Sequence, residues 1–328
     1  MSREVIVGID GGGTFTRAAV ADLDGNILGF ARTAGAHPKK NHEPGENVRA
    51  AILGALEDAG SKVDAVRSTV AGFAGVNAPE DQVWARQFLT DSGLQGSAQV
   101  FNDAELAQFG AFLGGPGIMA VSGTGSIVVG KTESGRIVRN YDFHHEEEAS
   151  ARFLSYSVIY DLITRDAGPE NAALLQKVLQ FWDVQTVDGL RLLAASGFCS
   201  DRIEARNRLS EMGTLVTDEA ESGNSIAINA CEKVIDTLGT GIGLVSAVFS
   251  SETVPLSLVG GVARNPFTQN LIHQYLDNGK TNKTYHYQQP QLSPVLGAVL
   301  YALNEVKGHA CEQVLERLLV SEKDHDFY

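Results

Sequence analysis

The sequence predicts an α/β protein in which one plan of strands and helices is used twice. Two observations carry this. Short β-branched runs alternate with longer segments of helical periodicity along the chain. The opening order of strand, glycine turn, strand, glycine turn and strand also recurs. Ile6-Val7-Gly8-Ile9, Asp10-Gly11-Gly12-Gly13-Thr14 and Asp24-Gly25-Asn26-Ile27 are matched by Ile118-Met119-Ala120-Val121, Ser122-Gly123-Thr124-Gly125-Ser126 and Ser134-Gly135-Arg136-Ile137-Val138. A repeat of this kind signals two copies of one fold. A chain of 328 residues with 43% hydrophobic residues has room for about two domains, each with its own core.

The first copy reads as a meander followed by alternating elements. Residues 5–9 form a buried strand, Arg17 to Ala21 a second and Asn26 to Phe30 a third, with Asp24-Gly25 as the hairpin turn. Val48, Ile52, Leu56 and Ala59 mark an amphipathic helix over 45–60 after Pro44-Gly45. A strand over 68–73, a helix over 79–92, a strand over 98–101 and a helix over 103–113 follow. The second copy has helices inserted, over 147–216 and then in one long helix over 223–249. A strand ending in Gly260-Gly261, a helix over 265–277, a short strand over 284–286 and a helix over 293–306 complete it. The segment from Gly308 to Tyr328 reads as a short helix with a solvated acidic terminus.

Twenty-six Lys and Arg against 40 Asp and Glu give a formal charge of −14, which excludes a nonspecific nucleic-acid footprint. Cys199, Cys231 and Cys311 are far apart and odd in number, as expected of free thiols in a reducing compartment. The first apolar run, residues 5–9, is too short for a signal h-region, and no long apolar segment occurs elsewhere. The expectation is a cytoplasmic protein without membrane or nucleic-acid partners.

The stretch Ser122 to Thr132, SGTGSIVVGKT, admits two phosphate readings. From Gly125 it fits the P-loop spacing, which requires an open turn and Lys-Ser/Thr opening a helix. Residues 126–129 are mostly strand formers, and Lys131-Thr132 runs into a turn at Glu133-Ser134-Gly135, so the context fails that motif. In the hairpin reading Gly123 and Gly125 let backbone approach a phosphate, with Ser122, Thr124 and Ser126 as donors. An ordinary glycine-rich turn is the competing reading for either loop alone.

Six segments in order resemble the actin-like ATPase and sugar-kinase superfamily, and within it the N-acetylglucosamine kinase and BadF/BadG ATPase family. They are residues 8–16, GIDGGGTFT; 71–76, AGFAGV; Asn102-Asp103; 122–126, SGTGS; 259–262, VGGV; and 293–298, SPVLGA. The resemblance implies two RNase H-like (actin-like ATPase) domains with a nucleotide cleft between them. The first would hold residues 1–115 with the C-terminal helix over about 293–328, the second residues 116–292 with its inserted helices. It implies ATP and Mg²⁺, with Gly11, Gly12, Gly13, Thr14 and Thr16 as the first phosphate loop. Gly123, Thr124, Gly125 and Ser126 would be the second, and Gly260 and Gly261 the adenosine contact. Asp10 would hold Mg²⁺, through water, as suits a hard cation that keeps its hydration shell. Asp103 would be the catalytic base toward a sugar hydroxyl, with Gly75, Asn77 and Asn102 near the substrate. Read without the resemblance, Asn102 or Asp103 serves equally as a helix cap. A homodimer and a small sugar or amino-sugar substrate, of the glucosamine or N-acetylglucosamine type, are further implications.

One segment departs from that pattern. Sugar kinases of the family carry a Gly-rich G-D-E-G-S stretch after the second hairpin, whereas residues 139–150 read RNYDFHHEEEAS. His144 to Glu148 cannot converge easily on one ion from adjacent positions, and an acidic first turn of the following helix is the better reading, with Glu147 the residue that could face the substrate. Two rival functions follow from the departure: an ATPase of the BadF type driving a partner protein, and a nucleotide- or sugar-binding sensor without turnover. The cysteines lack the spacing by which the former would hold a bridging iron–sulfur cluster. Gly239, Gly241 and Gly243 lie inside the long helix and suit close helix packing.

Overall fold

The computed structural model describes residues 3–146, 148–164, 168–308, 312–324 and 327. The chain divides into two units. One comprises Met1–Met119, Val129–Ile137 and Gln288–Tyr328, the other Ala120–Val128 and Val138–Tyr287.

In the first unit β1 (Val5–Gly11), β2 (Phe15–Asp22) and β3 (Ile27–Ala34) form an antiparallel meander. Asp22 fixes the second turn by accepting from Asp24 N, Asn26 N and Asn26 Nδ2 at 2.8–2.9 Å, while Gly25 takes φ +84°. After α1 (Pro44–Asp58), β4 (Val66–Phe73) joins β1 in parallel, and after α2 (Asp81–Asp91), β5 (Ser97–Asn102) joins β4 in parallel. The sheet order is β3-β2-β1-β4-β5, and α3 (Asp103–Ala111) leads out of β5.

The second sheet comprises β6 (Gly117–Ser122), β7 (Ser126–Lys131), β8 (Ile137–Arg139), β9 (Thr253–Val259) and β10 (Thr284–Tyr287). Its order read from the other edge, β8-β7-β6-β9-β10, reproduces that of the first sheet. The repeat is therefore topological as well as sequential. Between β8 and β9 lie α4 (Ala151–Thr164), α5 (Gly168–Phe181), α6 (Val187–Ala195), α7 (Arg202–Glu221) and α8 (Ser225–Ser246). Then come α9 (Gly261–Arg264) and α10 (Pro266–Asp277), and beyond β10 lie α11 (Pro294–Lys307) and α12 (Glu312–Asp324). Among the described residues no helix is long and apolar enough to cross a membrane.

The continuous apolar run of β1 follows from burial on both faces. Val5, Val7 and Ile9 pack with Val48 and Ile52 of α1 and Leu89 of α2, while Ile6 packs with Val295, Val299 and Leu303 of α11. Gly8 lies under α11, where a Cβ would sit 2.7 Å from the Val299 nitrogen. Gly110 and Gly297 bring α3 and α11 equally close, a Cβ on Gly297 falling 2.9 Å from Gly110 Cα. In α8, a Cβ on Gly239 would fall 2.4 Å from the Tyr275 ring, so that glycine serves packing, as its position inside the helix suggests.

Two helix ends and the chain terminus differ from expectation in ways the local structure explains. Helix α3 stops at Ala111 rather than 113 because Leu113 and Gly114 turn to φ +51° and +78°. Helix α8 stops at Ser246, three residues before the apolar periodicity ends at the buried Phe249. At the terminus Phe327 is buried rather than solvated. Phe327 is 1% exposed and meets Phe30 edge-on at 5.1 Å, and Glu322 accepts from Ser293 N and Oγ at 2.8 Å. The expected short helix is α12, which buries Val314 and Leu318 in the core beside α11.

Gly8→Ala should lower the unfolding free energy by about 1–3 kcal/mol, the usual cost of overpacking a filled core. Urea denaturation measures it, and an unchanged midpoint would show that α11 can move off β1.

Candidate active site

The parallel register assembles the first unit's site. Asp10 of β1 pairs with Gly72 of β4, and Phe73 pairs with Asn102 of β5. The chain thus leaves three neighbouring strands at their carboxyl ends, where open α/β sheets offer ligand sites. Gly72 permits the approach of α3, since a Cβ there would lie 3.0 Å from Asp103 Cα.

The glycine hairpin between β1 and β2 is held from three sides. Gly12 N donates to Phe15 O at 2.9 Å, Ala36 N to Gly12 O at 3.0 Å, and Ala74 N to Gly11 O at 2.9 Å. Asn41 Nδ2 donates to Gly13 O at 3.0 Å. Thr14 is exposed, whereas Thr16 is fully buried and its Oγ1 has no hydrogen-bond partner. Asp10 is 7% exposed and accepts from Arg17 Nη1 at 3.1 Å. Burial pushes its carboxyl up, and Arg17 opposes the rise.

The residues expected near substrate also come together. Asn102 Nδ2 donates to Val76 O and to Asn77 Oδ1, both at 3.1 Å, and Gly75 at φ +94° turns that loop against the His37 ring. Between the two capping candidates the structure selects Asn102, whose side chain accepts from Ala104 N at 2.9 Å. Asp103 is the first residue of α3, half-buried, with Oδ1 3.0 Å from the same amide. Burial and the neighbouring Asp10 charge push its carboxyl up to about 7, against the pull of the Ala104 N–H and of Lys40.

In the second unit, Gly123 N donates to Gly125 O at 2.9 Å and Ala151 N to Gly123 O at 2.8 Å, which sets the β6–β7 hairpin on the start of α4. Gly260 takes φ +98° with its Cα against Ser122, where a Cβ would lie 2.4 Å from the Ser122 carbonyl. Only glycine fits that close approach. A pocket of about 470 Å³ opens beside them, lined by Gly123, Thr124, Thr217, Asp218, Gly261 and Arg264 among others. Gly123, Thr124 and Gly261 face it. Ser126 is turned inward, 6% exposed, with Oγ accepting from Ala149 N at 3.3 Å.

The P-loop alternative fails in space as in sequence: β7 runs through Lys131, whose Nζ donates to Gly114 O at 2.7 Å. The acidic run does not open a helix, because α4 starts at Ala151 with no acidic residue in its first turn. His145 instead lies beside Gly241, with Asn140 Nδ2 donating to its carbonyl at 2.8 Å. Glu147 and Cys311 lie outside the described residues. Cys231 is fully buried, and burial pushes its thiol up to about 12.

Two contributions escape the sequence reading. Ser210, Gly213, Thr214 and Thr217 of α7 line the pocket beside Gly123 and Gly261, and their three- and four-residue spacing on one helix face was the signal available. Lys40, in the connector before α1, is 6% exposed and lies over Gly13. Nothing in the string HPKKN distinguishes it from a solvated lysine.

Known proteins match along most of this chain. An N-acetylmuramic acid/N-acetylglucosamine kinase of Clostridium acetobutylicum is 25% identical over 79% of this chain and 86% of its own length. An N-acetyl-D-glucosamine kinase of Dictyostelium discoideum is 24% identical over 94% of this chain and its whole length. A solved structure of a candidate N-acetylglucosamine kinase from Chromobacterium violaceum superposes with a TM-score of 0.69 at 22% identity, covering 92% of this chain and 99% of that one. The two five-stranded sheets are thus those of the two-domain actin-like ATPase fold. The profile of the BadF/BadG/BcrA/BcrD ATPase family matches residues 7–302, and the chain belongs to that family.

Proposed function

We propose that the protein is an ATP-dependent kinase that phosphorylates a hydroxyl of an amino sugar or related sugar. The observation that carries this reading is Asp103, a half-buried carboxyl at a strand end beside the glycine hairpin, with its pKa pushed up to about 7. A general base works best when its pKa lies near the operating pH. The names of the Clostridium and Dictyostelium relatives supply the substrate class.

The residues present fit a nucleotide with its metal ion. In the first unit Gly11, Gly12, Gly13 and Thr14 form the backbone cradle, and the buried Thr16 hydroxyl supplies a polar atom still without a partner. Asp10 would hold Mg²⁺ through water, an arrangement that leaves its pair with Arg17 intact. In the second unit Thr124, Gly125 and Ser126 would offer backbone donors and Gly123 a close approach, with Gly260 and Gly261 against the adenosine. When bound, Mg²⁺ and ATP supply the transferable phosphoryl group and screen its charge. Asp103 would take the proton of the sugar hydroxyl, and Asn102, tied to Asn77 and Val76, would fix the loop carrying Gly75 toward the sugar. We place the reaction in the cytoplasm, where ATP and free thiols are maintained, with the chain as a homodimer.

Mg·ATP with a panel of hexoses, amino sugars and N-acetylated sugars should give sugar-stimulated ADP release. Asp103→Asn should lower kcat by about 10²–10⁴-fold, the usual worth of a general base. Failure of every sugar to stimulate turnover while ATP still binds would favour the partner-driven ATPase or the sensor.

The base must be ionised, so kcat/KM should fall about tenfold per pH unit below about 7, the value to which burial and Asp10 bring Asp103. A profile flat down to pH 5 would remove Asp103 from that role.

The same shift has a stability consequence. A carboxyl with a raised folded-state pKa makes the native state bind its proton more tightly than the unfolded chain, so stability declines as pH rises through the interval from 3.8 to about 7. Without Mg²⁺ or nucleotide, Asp103→Asn should therefore melt at a higher temperature than the parent at pH 8. The gap should close toward pH 4, as thermal melts over that range would show.

A further inference from the structure

Lys40 is the only buried lysine or arginine among the described residues. Its place is a connector, residues 35–43, that has no helical or strand structure. Lysines are almost never fully buried, and a polar connector would ordinarily leave one in water.

The connector is fastened to the glycine hairpin rather than loose over it. Ala36 N donates to Gly12 O at 3.0 Å, and Asn41 Nδ2 donates to Gly13 O at 3.0 Å and to His37 O at 3.3 Å. Lys40 N donates to His37 O at 3.0 Å, which closes a turn and directs the side chain back over the loop. A Cβ on Gly13 would fall 3.2 Å from Lys40 Cδ and 3.5 Å from Nζ. The lysine stem thus fills the space beside Gly13, with its ammonium in van der Waals reach of the backbone that would cradle an anion. It also acts electrostatically on Asp103. These relations put one cation next to both the anion loop and the candidate base.

We propose that Lys40 contacts the terminal phosphoryl group of the nucleotide and stabilises the charge on its oxygens during transfer. This rests on the kinase reading above. Lysine suits the task as a compact point charge with three donors. The sugar oxygen forms the new bond to phosphorus as the bond to the bridging oxygen breaks, ADP leaves with that oxygen, and the hydroxyl proton goes to Asp103. Lys40 exchanges no proton and forms no covalent bond.

The test compares Lys40→Met and Lys40→Arg with the parent in two assays. With the stimulating sugar at saturation, Lys40→Met should lose about 10²–10³-fold in kcat, the range for removing one donor to a developing charge. The sugar KM should stay within about threefold, and Lys40→Arg should recover part of the loss. By calorimetry with Mg²⁺ and sugar, the affinity for ADP·aluminium fluoride should fall by a similar factor while that for ADP stays within about threefold. Unfolding midpoints of both variants establish that they fold.

The proposal is overturned if Lys40→Met keeps kcat within fivefold. It is equally overturned if the loss appears only in the sugar KM, which would make Lys40 a sugar-binding residue, or if ADP and its aluminium fluoride complex weaken together. If the parent phosphorylates no sugar in the panel, the kinase reading has failed. Calorimetry with Mg·ATP against Mg·ADP then still tests Lys40: a loss confined to ATP supports the contact, and an equal loss or none refutes it.

Discussion

The constraint on which the first unit's site depends is the parallel register of β1, β4 and β5. It places Asp10 opposite Gly72 and Asn102 opposite Phe73, so Asp10 and Asp103, the residue after Asn102, emerge from distant parts of the sequence at one end of the sheet. Register is secured by burial on both faces, because a slip of one residue would exchange the side chains packed on α1 and α2 with those packed on α11. Glycines enforce it further. Gly8 admits α11 to the face of β1, and Gly72 admits the start of α3 to the side of β4. The geometry of Asp10 and Asp103 is therefore a packing outcome before it is a chemical one.

That packing sets the electrostatics. Taking Asp103 partly out of water, beside a second carboxylate, disfavours its charged form, and Lys40 and the Ala104 amide recover part of the loss. Asn102 matters to this balance as the cap of α3. Its Oδ1 takes the Ala104 amide at 2.9 Å while its Nδ2 holds the 75–77 loop, so the helix start does not depend on Asp103 alone. The residue needed for chemistry and the residue needed for capping stand side by side, which is why sequence reasoning from Asn-Asp left both roles open.

The sequence disclosed those parts of the fold and site that local chemistry determines. The strand–glycine–strand repeat foretold two sheets of the same order, and the glycines at 11–13, 123–125 and 260–261 marked turns where backbone must come close. What stayed hidden is set by tertiary burial. Lys40 belongs to a polar connector that becomes interior only because Asn41 and Ala36 bond to the hairpin. Phe327 follows an acidic stretch yet closes the core against Phe30. Glu146 and Glu148, adjacent to a helix in sequence, precede its first turn by too many residues to act on it. In each case the sequence gives composition, whereas the outcome depends on which backbone groups lie nearby.

The charges gathered around the first hairpin bear on the metal. Arg17 pairs with Asp10 and Lys40 offsets part of the charge of Asp103, so the cations nearest the two carboxylates are already engaged by them. A polyphosphate arriving at such a site brings several negative charges that this pairing leaves uncompensated, in surroundings where charge is weakly screened. Lys40 by itself leaves most of that charge unmet, since it also offsets Asp103. A divalent cation arriving with the nucleotide and bound through water at Asp10 would offset part of that charge and leave Arg17 in place. In the proposed reaction Mg²⁺ would thus complement the carboxylates that the strand register brings to this end of the sheet.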